Sequence, residues 1–171
     1  MSRFWERFFP SLFVQEISEI PLDLLWNSGI RGLILDLDNT IVAWNGYNLP
    51  PETDLWLKKA KDQSFLFYIV SNSLTGRVKH FSQVLGIPCI PLALKPRRVN
   101  FRKAIQAMAL DPVQVAVIGD QIFTDVWGGN RMGIFTILVF PVNKKENVHV
   151  RLIRNLERLV LKRFRKRGQR S

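Results

Sequence analysis

The sequence contains only one cysteine, Cys89, so the chain cannot form an internal disulfide bond, which suits a reducing compartment. It also lacks any apolar run near the roughly 20 residues that span a bilayer. The N-terminus is aromatic between positions 4 and 13, but Glu6 interrupts it and no small-residue cleavage site follows. We therefore expect no signal peptide, and a cytoplasmic protein that at most rests on a membrane surface.

Acidic residues are scarce, with 14 Asp and Glu against 25 Lys and Arg, which gives a net charge of +11. Most of the excess lies in residues 151–171, which carry nine basic side chains and one acid, Glu157. Apolar residues recur there at helical spacing, so we predict a basic amphipathic helix and tail over residues 148–171. Such a segment favours an anionic partner: a phospholipid surface, nucleic acid or an acidic protein.

The body of the chain alternates strand and helix signals, and its length of 171 residues fits one folded domain. Apolar runs at 33–37, 65–70, 113–118 and 135–140, and a short one at Cys89-Ile90, alternate with helical patterns at 51–63, 75–85 and 97–109. This alternation predicts an α/β, Rossmann-like three-layer sandwich with a mainly parallel sheet. We divide the chain into an N-terminal aromatic, amphipathic segment (1–29), a catalytic core (30–147) and the basic C-terminal helix and tail (148–171).

Two carboxylates, Asp36 and Asp38, follow the first of these buried runs in the stretch Asp-Leu-Asp-Asn-Thr. They repel each other unless a cation lies between them, and we expect the chain to turn so that both face one pocket. One carboxylate can then attack phosphorus while the other transfers a proton. The alternative is an ordinary turn after a strand, where Asp and Asn are common.

Polar residues also follow the later runs, and ligands of parallel sheets bind at the carboxyl ends of the strands. Ser71 and Asn72 can hold a phosphate oxygen, and Lys95 can neutralise a phosphate. Asp120 and Asp125 supply the carboxylate oxygens that Mg²⁺ prefers. Taken singly, each of these has an ordinary alternative as a turn, a helix cap or a solvated side chain.

Other catalytic patterns do not fit the sequence. A cysteine phosphatase needs Arg six residues after its cysteine, but Lys95 stands at that distance from Cys89, which we assign to the core. The histidines His80 and His149 are isolated, and we assign neither a catalytic role. Arg131 follows Gly128-Gly129 and can reach a phosphate or a carboxylate, so its role is left open.

These elements, taken together over residues 30–140, resemble the four motifs of the haloacid dehalogenase-like superfamily. The motifs are Asp36-Leu37-Asp38, Ser71, Lys95, and the acidic pair Asp120 and Asp125. The stretch from Gly119 to Gly133 and the basic C-terminus also resemble the YqeG family of subfamily IIIA phosphatases.

The resemblance implies a two-step phosphatase mechanism. Asp36 is then the nucleophile and Asp38 the general acid and base, with Ser71, Asn72 and Lys95 at the phosphate. It further implies that Mg²⁺ is held by Asp36, the Asp38 main-chain carbonyl and the acidic pair. In that pair Asp120 is the direct ligand, and Asp125 acts through water or by holding Lys95.

Many members of the superfamily carry a cap domain, but this sequence has no room for one. Only 32 residues separate Asp38 from Ser71, and only four separate Ile90 from Lys95. We therefore predict a capless, open site, shaped by a flap around Trp44 and Tyr47.

Three functions remain open on the sequence alone. The first is a lipid phosphatase, since eukaryotic relatives of the family act on phosphatidylglycerophosphate. The second is a phosphatase of soluble small molecules or phosphoproteins. The third, which the complete acidic set and the lack of RNA-binding motifs disfavour, is a non-enzymatic module that binds RNA or the ribosome.

Overall fold

A parallel β-sheet of six strands forms the centre of the computed structural model, which describes residues 5–142. The strands follow the spatial order β1-β6-β5-β2-β3-β4, and every neighbouring pair runs parallel. Their bounds are β1 Leu12–Val14, β2 Gly32–Leu35, β3 Leu66–Val70, β4 Cys89–Ile90, β5 Val115–Gly119 and β6 Phe135–Val139. The prediction of a parallel α/β sheet is therefore confirmed.

The described residues contain five α-helices: α1 Leu22–Asn27, α2 Pro51–Asp62, α3 Thr75–Leu85, α4 Arg98–Ala107 and α5 Trp127–Asn130. Short 3₁₀ turns cover Glu6–Phe8, Ile17–Glu19 and Pro112–Gln114, and a π-helical turn covers Ile122–Val126. Helix α2 begins at Pro51 and has Glu52 and Asp54 in its first turn, as the helix dipole favours. Helix α3 ends at Gly86, whose φ of 63° is a left-handed conformation that glycine adopts at little cost.

Apolar side chains fill both faces of the sheet. Leu33 and Leu35 of β2 belong to one buried cluster, which α2 and α3 complete with side chains such as Trp56. Ile34, between them, belongs to a second cluster, in which α4 contributes Phe101. Alternate residues of a strand point to opposite faces, so helices cover the sheet on both sides and form the predicted three layers.

The N-terminal aromatic segment joins this architecture directly. Strand β1, which the sequence pattern did not reveal, pairs in parallel with β6 at the edge of the sheet. Phe8 is buried in a third apolar cluster with Ile122 and Val126 of the π-helical turn. Its ring also makes an edge contact with Phe123, with the ring centroids 5.4 Å apart. Within residues 5–29, this segment therefore packs on the sheet.

The basic helix and tail that we predict over residues 148–171, together with His149, lie outside the described residues, as does Phe4 of the aromatic N-terminus. Among residues 5–142, no helix is both long and apolar enough to cross a lipid bilayer.

Candidate active site

A cleft of about 160 Å³ opens at the carboxyl ends of the central strands, where the sequence predicts the site. Residues from the ends of β2, β3 and β5, and from the loop after β4, line it. The lining comprises Asp36, Asp38, Asn39, Trp44, Ser71, Asn72, Ser73, Lys95, Gln121 and Thr124. Residues that are far apart in the sequence therefore converge because parallel strands end at one edge of the sheet.

The two aspartates after β2 face the cleft because the chain turns immediately behind them. Strand β2 ends at Leu35, two residues before the end of the predicted apolar run. Asn39 has a φ of 61°, and the N–H groups of Ile41 and Val42 both donate to the Leu37 carbonyl, at 3.0 and 3.2 Å. Asparagine is one of the few residues that tolerate this left-handed conformation. The predicted turn is present, and it carries Asp38 away from the strand axis.

Lys95 joins two carboxylates at the bottom of the cleft. Its Nζ donates to Asp36 Oδ1 and to Asp125 Oδ1, both at 2.6 Å, and the side chains of all three residues are buried. A buried ammonium is tolerated only when charged or polar partners surround it, as they do here. We call Asp36, Lys95 and Asp125 the buried charge cluster.

Burial also sets the protonation of this cluster. Loss of solvent raises the pKa of Asp36 to about 6; Lys95 opposes that rise, and the nearby Asp125 adds to it. Burial disfavours the charged form of Lys95, but the carboxylates of Asp125 and Asp36 outweigh it and raise the pKa of Lys95 above its usual range. The cluster therefore holds a charged lysine and, near neutral pH, a largely ionised Asp36.

Asp125 is fixed by the π-helical turn that follows β5. Its Oδ2 accepts hydrogen bonds from the Thr124 hydroxyl at 3.0 Å and from the Gln121 N–H at 3.3 Å. A Cβ on Gly119 would overlap the Asp125 carboxyl group, so glycine is required at the end of β5. The resemblance left two roles open for Asp125: acting through water, or holding Lys95. Its direct contact with Lys95 favours the second role.

Asp38 has different side-chain partners, which come from the loop and the helix that follow β3. Arg77 Nε, on α3, donates to Asp38 Oδ1 at 2.8 Å, and the Ser73 hydroxyl donates to Asp38 Oδ2. Arg77 Nη2 also donates to the Ala43 carbonyl at 3.1 Å, which ties the segment after the turn to α3. We call Asp38, Ser73 and Arg77 the outer cluster.

Ser71 and Asn72 both line the cleft, as predicted, but their polar groups already have partners. The Lys95 N–H donates to Asn72 Oδ1 at 2.8 Å, so this side chain holds the backbone that carries Lys95. Ser71 is fully buried, and its hydroxyl oxygen accepts the Ser73 N–H at 3.2 Å. A role for either residue at the phosphate stays a prediction. What the structure shows is that both side chains accept hydrogen bonds from backbone N–H groups of the loops around the cleft.

Three carboxylates converge next to the cleft as a possible cation site. Oxygens of Asp36, Asp120 and Asp125 lie within 4.8 Å of one another, and all three residues are buried. Carboxylate oxygens are the ligands that hard divalent cations prefer, and the Lys95 ammonium can offset the charge of only one of three carboxylates. The donor set therefore fits a divalent metal ion, although both oxygens of Asp125 are already engaged within the protein.

Of the other residues named in the sequence analysis that the structure describes, Tyr47 is the one that lies away from its expected place. Trp44 lines the cleft, but Tyr47 stacks on Phe81 instead, with ring centroids 6.2 Å apart. Arg131 lies with its guanidinium 5.2 Å from the centre of the Trp127 ring. Cys89 packs against the core, as expected, and His80 contacts the Tyr47 ring outside the cleft.

Ser73, Arg77, Gln121 and Thr124 complete the site, and the sequence analysis did not single them out. Gln121 and Thr124 lie within the Gly119–Gly133 stretch that carries the resemblance, which is the one signal that could have pointed to them.

Comparison with known proteins gives the family. The sequence pattern of the family described as mitochondrial PGP phosphatase matches residues 4–143. The chain belongs to the mitochondrial PGP phosphatase family. It is also 41% identical over 161 residues to the probable phosphatase YqeG of Bacillus subtilis (strain 168), covering 94% of each chain. The predicted family and phosphatase activity are therefore confirmed.

A more distant member of this PGP phosphatase group comes from a plant. Phosphatidylglycerophosphate phosphatase 1, chloroplastic/mitochondrial, of Arabidopsis thaliana is 25% identical over 169 residues. The match covers 93% of this chain but only 49% of the plant protein, so the chain spans about half of that relative.

Solved structures agree on the fold of this PGP phosphatase family member. The cobalt-bound deoxy-D-mannose-octulosonate 8-phosphate phosphatase (YrbI) of Haemophilus influenzae has a TM-score of 0.53 at 17% identity, over 66% of this chain and 69% of that one. An uncharacterized protein from Listeria monocytogenes serotype 4b has a TM-score of 0.55 at 19% identity, over 70% and 86%. At such identities the likeness establishes the fold alone, which is an α/β fold with a parallel sheet.

Proposed function

We propose that this phosphatase removes the terminal phosphate from phosphatidylglycerophosphate, producing phosphatidylglycerol, through a covalent intermediate on Asp36. The observation that carries the mechanism is the arrangement of two aspartates with different partners in one cleft. Asp36 belongs to the buried charge cluster, whereas Asp38 belongs to the outer cluster. Asp36 is thus held by the Lys95 ammonium, and Asp38, which Arg77 and Ser73 hold, is the group that we expect to meet the leaving group.

In the first step, an Asp36 carboxylate oxygen forms a bond to phosphorus as the bond from phosphorus to the alcohol oxygen breaks. The Asp38 carboxyl group gives its proton to that oxygen, so the product leaves as a neutral alcohol. In the second step, Asp38 takes a proton from a water molecule whose oxygen attacks the aspartyl phosphate. The bond between phosphorus and Asp36 then breaks, and inorganic phosphate leaves.

Lys95 supports both steps through charge. Its ammonium group contacts Asp36 at 2.6 Å and offsets negative charge as the phosphate approaches that carboxylate. Asn72 holds the Lys95 backbone, and Asp125 holds the Lys95 side chain, so the position of the ammonium is set from two directions. We expect most of the rate enhancement to come from such positioning and charge neutralisation.

Magnesium is the cofactor we propose. Asp36, Asp120 and the Asp38 main-chain carbonyl would hold the ion, and when bound it would neutralise charge on the phosphate oxygens. We expect chelation to abolish turnover and added Mg²⁺ to restore it. Binding of Mg²⁺ should also raise the thermal unfolding temperature of the substrate-free protein, which tests the site without reference to activity. Full turnover after exhaustive chelation would contradict this part of the proposal.

The lipid substrate is supported by the family and by the open cleft. Among residues 5–142 no inserted domain covers the site: residues 91–97 link β4 to α4, and residues 36–50 link β2 to α2. An open cleft can take a headgroup that stays anchored in a bilayer. The basic segment predicted at 148–171 would hold the enzyme near anionic lipids, at about 1 kcal/mol per basic residue close to the surface. Truncation after Asn147 should then weaken membrane association.

The deciding experiment compares specificity constants at physiological salt. Phosphatidylglycerophosphate in anionic vesicles is measured against a panel of sugar phosphates, nucleotides and a phosphopeptide. We expect the lipid to be preferred. If a soluble phosphomonoester is the better substrate by about tenfold, a difference of about 1.4 kcal/mol, the lipid proposal fails and a soluble substrate replaces it.

A further inference from the structure

Three exposed leucines stand beside the mouth of the cleft. Leu74, Leu92 and Leu94 are 74%, 51% and 59% exposed. They lie in the loops after β3 and β4, which are joined by a hydrogen bond from the Leu92 N–H to the Ser73 carbonyl at 3.2 Å. Leu74 follows Ser73 and Leu94 precedes Lys95, and both of those neighbours line the cleft. We call Leu74, Leu92 and Leu94 the leucine rim.

The backbone of the leucine rim is unusual for leucine. Leu92 and Leu94 have φ angles of 48° and 51°, in the left-handed region that glycine and asparagine occupy more easily. An exposed leucine in this conformation raises the free energy of the folded state and gains no burial in return. Outliers of this kind cluster at functional sites, and here two lie directly beside a cleft.

The segment of the chain that carries the leucine rim has charges of one sign. Residues 63–110, which include β3, α3, β4 and α4, contain no Asp or Glu and seven basic residues: Arg77, Lys79, Lys95, Arg97, Arg98, Arg102 and Lys103. By contrast, residues 16–62 contain eight Asp and Glu and four Lys and Arg. Arg97 and Arg98 are exposed and follow the rim directly, and the Arg97 N–H donates to the Leu94 carbonyl at 3.0 Å. The segment that carries the rim is therefore the cationic part of the described chain.

We propose that the leucine rim, with Arg97 and Arg98, docks on an anionic lipid bilayer. Leucine side chains enter the boundary between headgroups and acyl chains, while arginines nearby contact lipid phosphates. Single-stranded RNA fits the surface less well, because it is bound by stacking on aromatic rings, which the rim does not offer. The inference builds on the proposed function in one respect: docking at the rim brings the cleft to the depth at which a phospholipid headgroup lies.

The test is binding of the full chain to vesicles that contain no phosphomonoester lipid. Cosedimentation is measured with phosphatidylcholine vesicles and with mixed phosphatidylcholine and phosphatidylglycerol vesicles. The variant is L92N/L94N, because asparagine removes the apolar side chains and is tolerated in the left-handed conformation. We expect its partition coefficient on mixed vesicles to fall about tenfold or more. Thermal unfolding checks that the variant is folded.

Two further variants locate the effect. Leu55→Gln is the matched control, because Leu55 is 54% exposed on α2, in the acid-rich part of the chain, and its loss should leave vesicle binding unchanged. The R97Q/R98Q variant should bind mixed vesicles about fivefold more weakly per arginine removed, with little change on phosphatidylcholine alone. Higher salt should weaken wild-type binding to mixed vesicles but not to neutral ones.

Several results would overturn the proposal. One is wild-type vesicle binding by folded L92N/L94N, and another is an equal loss in Leu55→Gln. A third is a wild-type dimer in light scattering that L92N/L94N converts to monomer without loss of vesicle binding, since the rim then contacts a second copy. A fourth is rim-dependent vesicle binding that appears only after truncation at Asn147, since the chain's own C-terminal segment then covers the rim. Because the vesicles carry no substrate, a soluble substrate winning the kinetic comparison would leave the docking result intact.

Discussion

The two aspartates of the cleft stand two residues apart in the sequence and yet belong to different environments. Asp36 lies in the buried charge cluster, where Lys95 and Asp125 surround it and its pKa rises to about 6. Asp38 lies in the outer cluster, where an arginine and a serine from the neighbouring loop and helix hold it. One turn of the backbone thus separates a carboxylate held by a buried lysine from one held by an arginine and a serine, which we propose transfers the proton.

The buried charge cluster and the outer cluster should also differ in how well they tolerate mutation. The buried charge cluster has little solvent around it, so removing Lys95, the cation that Asp36 and Asp125 share, leaves two buried carboxylates without a partner. Asp38 and Ser73 of the outer cluster line the cleft, so water from the cleft can replace a partner that Asp38 loses. Loss of Lys95 should therefore lower both stability and turnover, whereas mutations in the outer cluster should mainly lower turnover.

The largest expected effect is the loss of the nucleophile. Asp36→Asn should reduce phosphatase turnover by about a thousandfold or more, because an amide cannot form the covalent intermediate. The protein should remain folded, as judged by circular dichroism and thermal unfolding. Asp54→Asn is the matched control, since Asp54 pairs with Lys58 on the surface of α2 and should leave turnover unchanged. Wild-type turnover by folded Asp36→Asn would remove Asp36 from the mechanism.

The second-largest effect is expected from loss of Lys95, the cation that Asp36 and Asp125 share. Lys95→Met should lower the free energy of unfolding by about 3 kcal/mol at neutral pH, because two buried carboxylates lose their common partner. Turnover should fall by about a hundredfold. The measurement is urea unfolding with and without Mg²⁺, and we expect the ion to restore part of the lost stability. Unchanged stability in the metal-free protein would mean that Lys95 contributes no net stabilisation to the buried charge cluster.

A smaller effect is expected from the outer cluster. Arg77→Gln should reduce kcat about tenfold with little loss of stability, because Asp38 is no longer held in position to transfer its proton. The loss should be greater for an alkyl phosphate than for p-nitrophenyl phosphate, whose leaving group departs without a proton. Arg77→Lys should recover only part of the activity, since lysine cannot bond Asp38 and the Ala43 carbonyl in the same way. Equal losses for both substrates would indicate that Arg77 acts on general structure instead.

The smallest effect concerns pH. Because the pKa of Asp36 is raised to about 6 in the folded protein, that state binds a proton more tightly than the unfolded chain does. The metal-free protein should therefore lose stability as pH rises from about 4 to 6. A divalent cation competes with the same proton, so Mg²⁺ should bind about tenfold more weakly at pH 5 than at pH 7. Thermal shift titrations with Mg²⁺ at pH 5 and at pH 7 measure this change in affinity. Asp36→Asn should abolish the difference between the two pH values.

Much of the site was predictable because chemistry and topology agree. In a parallel sheet, buried strands that end in polar residues bring those residues to one edge. Four residues could therefore be grouped without coordinates: Asp36, Asp38, Ser71 and Lys95. Arg77 could not be grouped with them, because it lies within a helix and reaches Asp38 only through the packing of α3 beside the turn.

The fold was predictable to a similar degree, and for a related reason. Strands β2, β3, β5 and β6 are continuous apolar runs, which a sheet covered on both faces requires. Strand β1 has only three residues, Leu12–Val14, inside an aromatic segment whose pattern also suits a surface anchor. Recognising β1 as a strand depends on its pairing with β6, which lies far along the chain and which no local pattern reveals.

The pairing of β1 with β6 has a consequence for how the protein folds during synthesis. Leu12 lies opposite Ile137, so strand β1 leaves the ribosome long before its partner is made. At usual rates of translation the delay is on the order of ten seconds. The central strands can associate during that interval, but the β1 edge of the sheet closes only after residue 139 has emerged. Contacts between such distant segments form slowly, so closure of this edge is a late step in folding.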